Sequence, residues 1–312
     1  MIYVSGWETM PTARYRVCRP SASSKAPPGT DARSVLKRRE EIVQLVGNYQ
    51  ALKWTTLARL RLSALGLPPF HHSDHFIVGS QQACDTLCRL YGINSLRVSV
   101  VPYPINLSLF HPARNAPACE WKNLRILWLG RIIPRKRLDL FLDGATLAIE
   151  RGMDLRLTVV GPIGFVRGYD RLIWSFPFPD RLEWFQSIPR AEVPALMQRH
   201  DLLAQPSDEE NFGSSVAEAQ ACGLPVIVGA TNGNADYLSS RDIHLADDRA
   251  ETFAGALAEI WRRKCANQLG EAMESLRVAE EHFHTDRVVD RLMRVLESVV
   301  VRATAQKDDS LG

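Results

Sequence analysis

The sequence predicts an α/β fold built on a parallel sheet covered on both faces, and three observations predict it. From Asp74 onward, short apolar runs of strand length alternate with stretches long enough for helices. The runs are rich in Val, Ile and Leu with little polar alternation, the pattern of strands buried on both sides. Glycine closes many of these segments, as at Gly92, Gly130, Gly152, Gly161 and Gly229. Together these features describe successive βαβ units.

The elements follow in order. Residues 18–32, rich in Ser and Pro, are expected to be a linker or disordered stretch. Residues 34–67 are expected to form one or two helices that end at Pro68 and Pro69. Their second part, with Lys53, Trp54, Leu57, Arg59, Leu60 and Arg61, is basic and apolar. Such a stretch either packs on its own domain or lies on a membrane surface, and 51–67 is the candidate for that contact. Strands are then expected at 75–80, 97–105, 124–130, 154–161, 182–186, 201–207, 225–229 and 243–246. Helices are expected at 81–93, 137–152, 191–200, across Glu218, and at 249–264, 267–283 and 286–303. The implied organisation is a poorly ordered segment (1–33), a short α/β domain (34–108), a Rossmann-type domain (109–285) and a C-terminal helix and tail (286–312).

Composition narrows the function classes. The 312 residues are 46% hydrophobic, enough for two compact domains, and the net charge of +3 demands neither nucleic acid nor membrane. No apolar run approaches the ~20 residues of a spanning helix, and the first residues lack the order of a secretory signal. The six cysteines (Cys18, Cys84, Cys88, Cys119, Cys222, Cys265) have no partners at a zinc-ligand spacing, so no metal site is expected. Reduced thiols in a cytoplasmic protein are the simplest reading, with membrane association through 51–67 as an addition.

In a doubly wound sheet, ligands bind beyond the carboxyl ends of the strands. After the strand LRILWLG come Gly130, Arg131 and Lys136, and a helix opens at Arg137. Cations beside a helix N-terminus suit a phosphate. After LRLTVVG, Gly164 and Gly168 allow a ligand near the backbone. After DLLAQPS, Glu210 precedes the turn Asn211-Phe212-Gly213, Ser214 and Ser215 begin a helix, and Glu218 follows within it. Two acids flanking a helix N-terminus match a ligand with an anionic middle and hydroxyl-rich ends, since carboxylates accept from sugar hydroxyls. A sugar nucleotide is such a ligand.

ENFGSSVAEAQACGLPVIVG, with its E-x7-E spacing, resembles the retaining glycosyltransferases of the group 1 type (family 4, GT-B fold). LWLGRIIPRKRLDLFLDG resembles that family's Gly-Arg…Lys-Gly segment, and the resemblance extends over 74–300. It implies a GT-B-like architecture and transfer of a sugar from a nucleotide-sugar donor, with retention and without a metal cofactor. By position, Glu210 would contact the donor sugar and Glu218 the ribose. Arg131 and Lys136 would neutralise the diphosphate, with Gly130, Phe212 and the N–H groups of Gly213, Ser214 and Ser215 around it. Ser187 and Ile188 would lie at the base, and Asn232 and Gly233 on the sugar-side loop. Arg137 stands where the family usually has Gly, Asn211 where Gly is commonest, and Asp236 where a Glu is usual. The residues before HFIVGS are fewer than the family spends on its acceptor-side domain, which implies a shortened N-terminal domain. HHSDH (71–75) is expected to be a polar loop rather than the acceptor-side histidine, and WETMP (7–11) a remnant of that domain. The acceptor stays open among polysaccharide, lipid-linked sugar and small molecule. The alternatives are a donor-binding remnant completed by a partner chain, and a sugar-nucleotide epimerase of the same architecture.

Overall fold

The computed structural model describes residues 44–45, 75–113, 123–164, 168–208, 210–269 and 271–308. The expected linker at 18–32, the stretch WETMP, all but two residues of the expected helices at 34–67, and His71 to Asp74 lie outside these residues. The chain divides into two compact units: residues to Val78 with Cys84–Val100 and Leu296 onward, and Gly79–Ala83 with Val101–Val295.

The first unit carries a parallel sheet of β1 (Gln44–Leu45), β2 (Phe76–Val78) and β3 (Val98–Val100), in that order. Phe76 pairs with Val98, and the ring of Arg97's neighbour Phe76 lies under the Arg97 guanidinium at 5.9 Å. His75 is no polar loop residue: it is buried, and its Nε2 meets Ser99 Oγ at 2.8 Å. The strand expected over 97–105 ends at Val100, because Pro102 and Pro104 have no N–H to give a ladder. Helix α1 (Gln81–Tyr91) follows β2 in sequence.

The second unit is a six-stranded, wholly parallel sheet. Its strands are β4 (Leu124–Leu129), β5 (Leu155–Val160), β6 (Leu182–Phe185), β7 (Leu202–Gln205), β8 (Val226–Val228) and β9 (Ile243–His244). The spatial order is β6-β5-β4-β7-β8-β9. The chain thus winds outward from β4 to one edge, returns to the centre, and winds outward to the other. That is the order of a dinucleotide-binding fold, with its switch point between β4 and β7.

The strand residues alternate between two cores. Ile126 and Trp128 of β4, Leu157 and Val159 of β5, and Ile227 of β8 pack with α2 (Leu138–Glu150) and α6 (Ala250–Cys265). Leu127, Val160, Leu203, Val226 and Val228 pack with α5 (Ser214–Ala221) and α7 (Ala272–His282). Full burial of a side chain such as Phe141 or Phe253 contributes about 1.5–3 kcal/mol each. The remaining helices are α3 (Arg171–Trp174), α4 (Val193–Met197) and α8 (Thr285–Asp308). Helix α4 is shorter than the expected 191–200. His200 Nδ1 takes the Leu196 carbonyl and its Nε2 meets Thr158 Oγ1, so the ring ends the helix before β7.

At the amino ends of the central strands, Asp201 accepts from Arg125 Nη2 at 3.1 Å and Lys264 Nζ at 2.6 Å. Burial raises the Asp201 carboxyl, but hydrogen bonds from Arg125 and Lys264 outweigh it and hold the group below its usual range. This cluster ties strand starts together, whereas the opposite end of the sheet carries the polar loops. Among the described residues no helix is long and apolar enough to cross a membrane.

Candidate functional site

The loops leaving β4 and β7 meet at the switch point. Beyond Gly130 and the half-buried Arg131, pairing with the neighbouring loop continues: Ile132 N donates to Pro162 O and Gly164 N to Ile132 O. Pro134, with its fixed φ, then opens a single 3₁₀ turn, Pro134–Lys136. The turn ends at Arg137, whose φ of 49° and ψ of 48° are left-handed. Such a conformation costs an L-residue about 1–2 kcal/mol. Arg137 is held there by Asp139 at 3.1 Å, Asp208 at 3.3 Å and Asp248 at 3.0 Å. The side chain occupies the place of the expected glycine, and its carboxylate partners hold the backbone that glycine would adopt freely.

The β7 loop docks on this turn through Asp208 N, which donates to Arg135 O at 2.8 Å. Glu210 then enters between two cations. Lys136 Nζ lies 2.5 Å and Arg135 Nη1 3.0 Å from Glu210 Oε2. All three residues are buried. Burial by itself raises the Glu210 carboxyl; Lys136 and Arg135 outweigh it and hold the group below its usual range. Two cations thus face the Glu210 carboxylate in a desolvated place. Sequence reasoning found Glu210 and Lys136 but missed Arg135. Its one signal was adjacency: in a tight 3₁₀ turn, neighbouring side chains can converge on one partner.

The β8 loop closes the cluster from the other side. Asn232 bridges to Glu210, and Gly233 N donates to Glu210 O at 2.7 Å. A Cβ at Gly233 would stand 2.1 Å from Asn211 O and 2.8 Å from Glu210 O, so only glycine fits. Asn232 is buried and accepts from Asn234 N at 3.0 Å; Asn234 Oδ1 in turn takes the Gly213 N–H. Asp236 Oδ2 accepts from Gln81 N at 3.1 Å, at the start of α1. Asp236 is thereby used as a helix-capping acceptor.

Two residues expected to touch a ligand turn inward instead. Phe212 is buried, with ring centroids 5.0 Å from Tyr103 and 5.4 Å from Phe283. Asn232 lies inside the loop as described. Both shape the site from behind, because the chain on either side of Glu210 must be anchored in the core. Asn211 Nδ2 donates to Tyr103 Oη at 3.1 Å, which serves the same purpose.

Helix α5 begins with Gly213 as its N-cap, and Val216 N and Ala217 N both donate to Gly213 O. The Gly213 N–H being taken, the N–H groups of Ser214 and Ser215 are the ones without an acceptor among the described residues. Such N–H groups, aligned with the helix dipole, favour an anion. The two hydroxyls differ. Ser215 Oγ donates to Gln205 Oε1 at 3.0 Å, and Gln205 Nε2 donates onward to Ser207 Oγ at 2.9 Å. Ser215 therefore has no proton left for a ligand, whereas Ser214 keeps its own. Ser214→Ala should weaken phosphate binding by about 1.5–3 kcal/mol, as for a hydrogen bond to a charged group, and Ser215→Ala by much less. Calorimetric titration with a nucleoside diphosphate would check the order; the reverse order would remove the hydroxyl assignment.

One turn into α5, Glu218 is buried and held by a fork: Arg190 Nη1 donates to Oε2 at 2.9 Å and Nη2 to Oε1 at 2.5 Å. Burial raises the Glu218 carboxyl, and Arg190 offsets this only in part. Arg190 follows β6 on the loop that also carries the exposed Ser187 and the half-buried Ile188. The structure thus links the Ser187–Ile188 loop to Glu218 through a residue that sequence reasoning did not single out. A lone Arg after a proline carries no distinctive pattern. Among the described residues, no group of three or more His, Cys, Asp or Glu is placed to hold a metal ion.

Fold and site define an α/β protein of dinucleotide-binding topology with a buried cluster of charged side chains at the switch point. Residues 114–275 match the family model described as glycosyl transferases group 1. The chain belongs to that family. It is 29% identical over 216 residues to the D-inositol 3-phosphate glycosyltransferase of Mycobacteroides abscessus, covering 65% of this chain and 47% of that protein. With the D-inositol 3-phosphate glycosyltransferase of Gordonia bronchialis it shares 27% identity over 258 residues, 74% of this chain and 54% of that protein. The chain spans about half the length of the curated relatives it matches. Among solved structures, Anabaena HepE in complex with UDP and glucose superposes with a TM-score of 0.68 at 17% identity, over 85% of this chain and 73% of that one. The sucrose-phosphate synthase of Thermosynechococcus elongatus gives 0.68 at 19%, over 86% and 71%. The fold is that of the GT-B glycosyltransferases.

Proposed function

We propose that this chain binds a nucleotide-sugar donor at the switch point and transfers its sugar, with retention of configuration, to a hydroxyl acceptor. The observation that carries the proposal is the buried cluster of Arg135, Lys136 and Glu210 alongside the open N–H groups of Ser214 and Ser215. A diphosphate suits these cations and N–H groups. As the bond from sugar to diphosphate breaks, negative charge grows on the leaving oxygen, and preorganised cations and N–H dipoles stabilise it. Lys136, Arg135 and Arg131 supply the charge. Glu210 accepts from the donor sugar's hydroxyls, and Glu218 accepts from the ribose. The Ser187–Ile188 backbone faces the base. The acceptor oxygen bonds the anomeric carbon from the side on which the diphosphate leaves, its proton passing to the departing diphosphate oxygen, which preserves the anomeric configuration. In this reading protein cations do the electrostatic work, and no metal is required. That HepE is seen with UDP and glucose supports a uridine diphosphate sugar as the first donor to try.

The test is a panel of UDP-, GDP-, ADP- and dTDP-linked sugars with the purified chain in EDTA. Binding is followed by calorimetry and nucleotide release by chromatography. Binding of one donor with release of its nucleotide is the expected result. Binding without release would reduce the function to a donor-binding module, and no binding would remove the proposal.

A further inference from the structure

Arg190 stands on a surface turn with its side chain 52% exposed, yet its guanidinium is fixed on two sides. Both terminal nitrogens bond the two oxygens of Glu218, and the guanidinium carbon lies 4.7 Å from the Phe110 ring centroid. An exposed Arg gains little from an ion pair. The Glu218 side chain, however, is only 4% exposed, and a buried carboxylate needs a paired charge to stay ionised. The need for the pair therefore lies with Glu218.

Ionisation matters for what Glu218 can bind. A carboxylate offers about four acceptor positions and no donor; the neutral acid carries a proton and fewer acceptors. A fork from Arg190 uses one position on each oxygen and leaves one on each. Two adjacent acceptors match two vicinal hydroxyls, each of which donates one hydrogen. We propose that Arg190 is a positioning residue for Glu218: it fixes the carboxylate in the one orientation that leaves paired acceptors for the vicinal diol of a nucleotide's ribose. The ligand half of this rests on the proposed donor site; the hold on Glu218 rests on the fork alone.

Other charges do not replace Arg190. Cys222, one turn further along α5, has its thiol pushed up to about 12 by burial and is neutral. The neighbouring loop brings His111, whose Nδ1 is turned to Pro112 O. Helix α7 brings Glu274, Arg277, Glu280 and Glu281, none of which acts on the Glu218 carboxyl.

The test has two parts. First, the Glu218 side-chain carboxyl is titrated by carbon NMR in the wild type, Arg190→Ala and Arg190→Lys. Its midpoint should rise by roughly one pH unit or more in Arg190→Ala, as when a carboxylate loses an adjacent cation, and by less in Arg190→Lys. Identical midpoints in all three would overturn the proposal. Second, affinities for UDP and 2′-deoxy-UDP are compared at pH 6 and pH 8. The wild type should prefer UDP by about tenfold, as for one hydrogen bond to a charged group, and Arg190→Ala should lose most of that preference at pH 6. A preference kept in full by Arg190→Ala would overturn the role in diol recognition. UDP binding by the wild type with no preference at either pH, beside a displaced midpoint, would overturn the diol while leaving the hold on Glu218. Failure of the wild type to bind any nucleotide would sink the donor site itself, and the NMR result would still decide on the fork.

Discussion

Glu210→Gln should be less stable than the wild type by about 3–5 kcal/mol without nucleotide, because it leaves Lys136 and Arg135 buried beside a neutral amide. UDP should recover much of the loss, since its diphosphate brings the missing negative charge to the same cations. Denaturant unfolding with and without UDP measures both effects. The dependence on pH has a definite sign. The Glu210 carboxyl is held below its usual range in the folded state. Its contribution is therefore complete above the unfolded value of about 4.3 and lost as pH falls through the lower folded value. The wild type should weaken in acid more steeply than the variant. Turnover should fall about 100-fold or more, as for removal of a transition-state hydrogen-bonding group. Free UDP should bind at least as tightly, because no carboxylate competes for the cations. Equal stability of both proteins, with and without UDP, would mean that the cluster is not the compensated buried charge it resembles.

Gly233→Ala is the second large effect, and it acts on geometry alone. The new methyl would meet Asn211 O, Ser80 Oγ at 2.5 Å and Glu210 O, two of them backbone atoms that cannot swing aside. The loop carrying Glu210 must shift. A displacement of the order of 1 Å at a reacting group costs about 100-fold in rate. The parallel strands and long helices do not pass through this contact, so the far-UV circular dichroism should stay close to that of the wild type. Turnover of the donor identified in the panel, measured beside UDP affinity, checks the split. Wild-type turnover would show that the loop absorbs a methyl without moving Glu210.

Strand existence was legible wherever apolar runs were bounded by glycine, and β4, β5, β7 and β8 fall inside the expected ranges. Periodicity alone does not foresee a side chain that ends an element, which is why His200 shortened α4. Prolines at 102 and 104 were visible, but a run of Val outweighed them. In the site, sequence reasoning reached those residues whose type is unusual where they stand: an acid in a small-residue helix, a lysine at a helix start. It could not reach Arg135 or Arg190, which are ordinary surface residues by type and become site residues only through turns that aim them. It placed Phe212 and Asn232 among the donor-site residues without a direction for either side chain, because a one-dimensional motif does not say which neighbours of a functional residue anchor it and which present it. Arg137 is informative in another way: it stands where the family usually has Gly, and the structure shows why, since the backbone there is left-handed even with Arg in place.

The strand order has a further consequence for how the molecule comes into being. Lys136 and Glu210 are 74 positions apart, and they meet only after β7 has paired with β4. An emerging chain can zip β4, β5 and β6 from near neighbours, but that half-sheet exposes one bare edge at β4. Closure of the edge is the long-range, slow-forming pairing of the domain. The buried charge cluster is assembled by that same event. A chain that stalls before it lacks the ion pair, so the contact of Lys136 with Glu210 reports that β7 has joined β4.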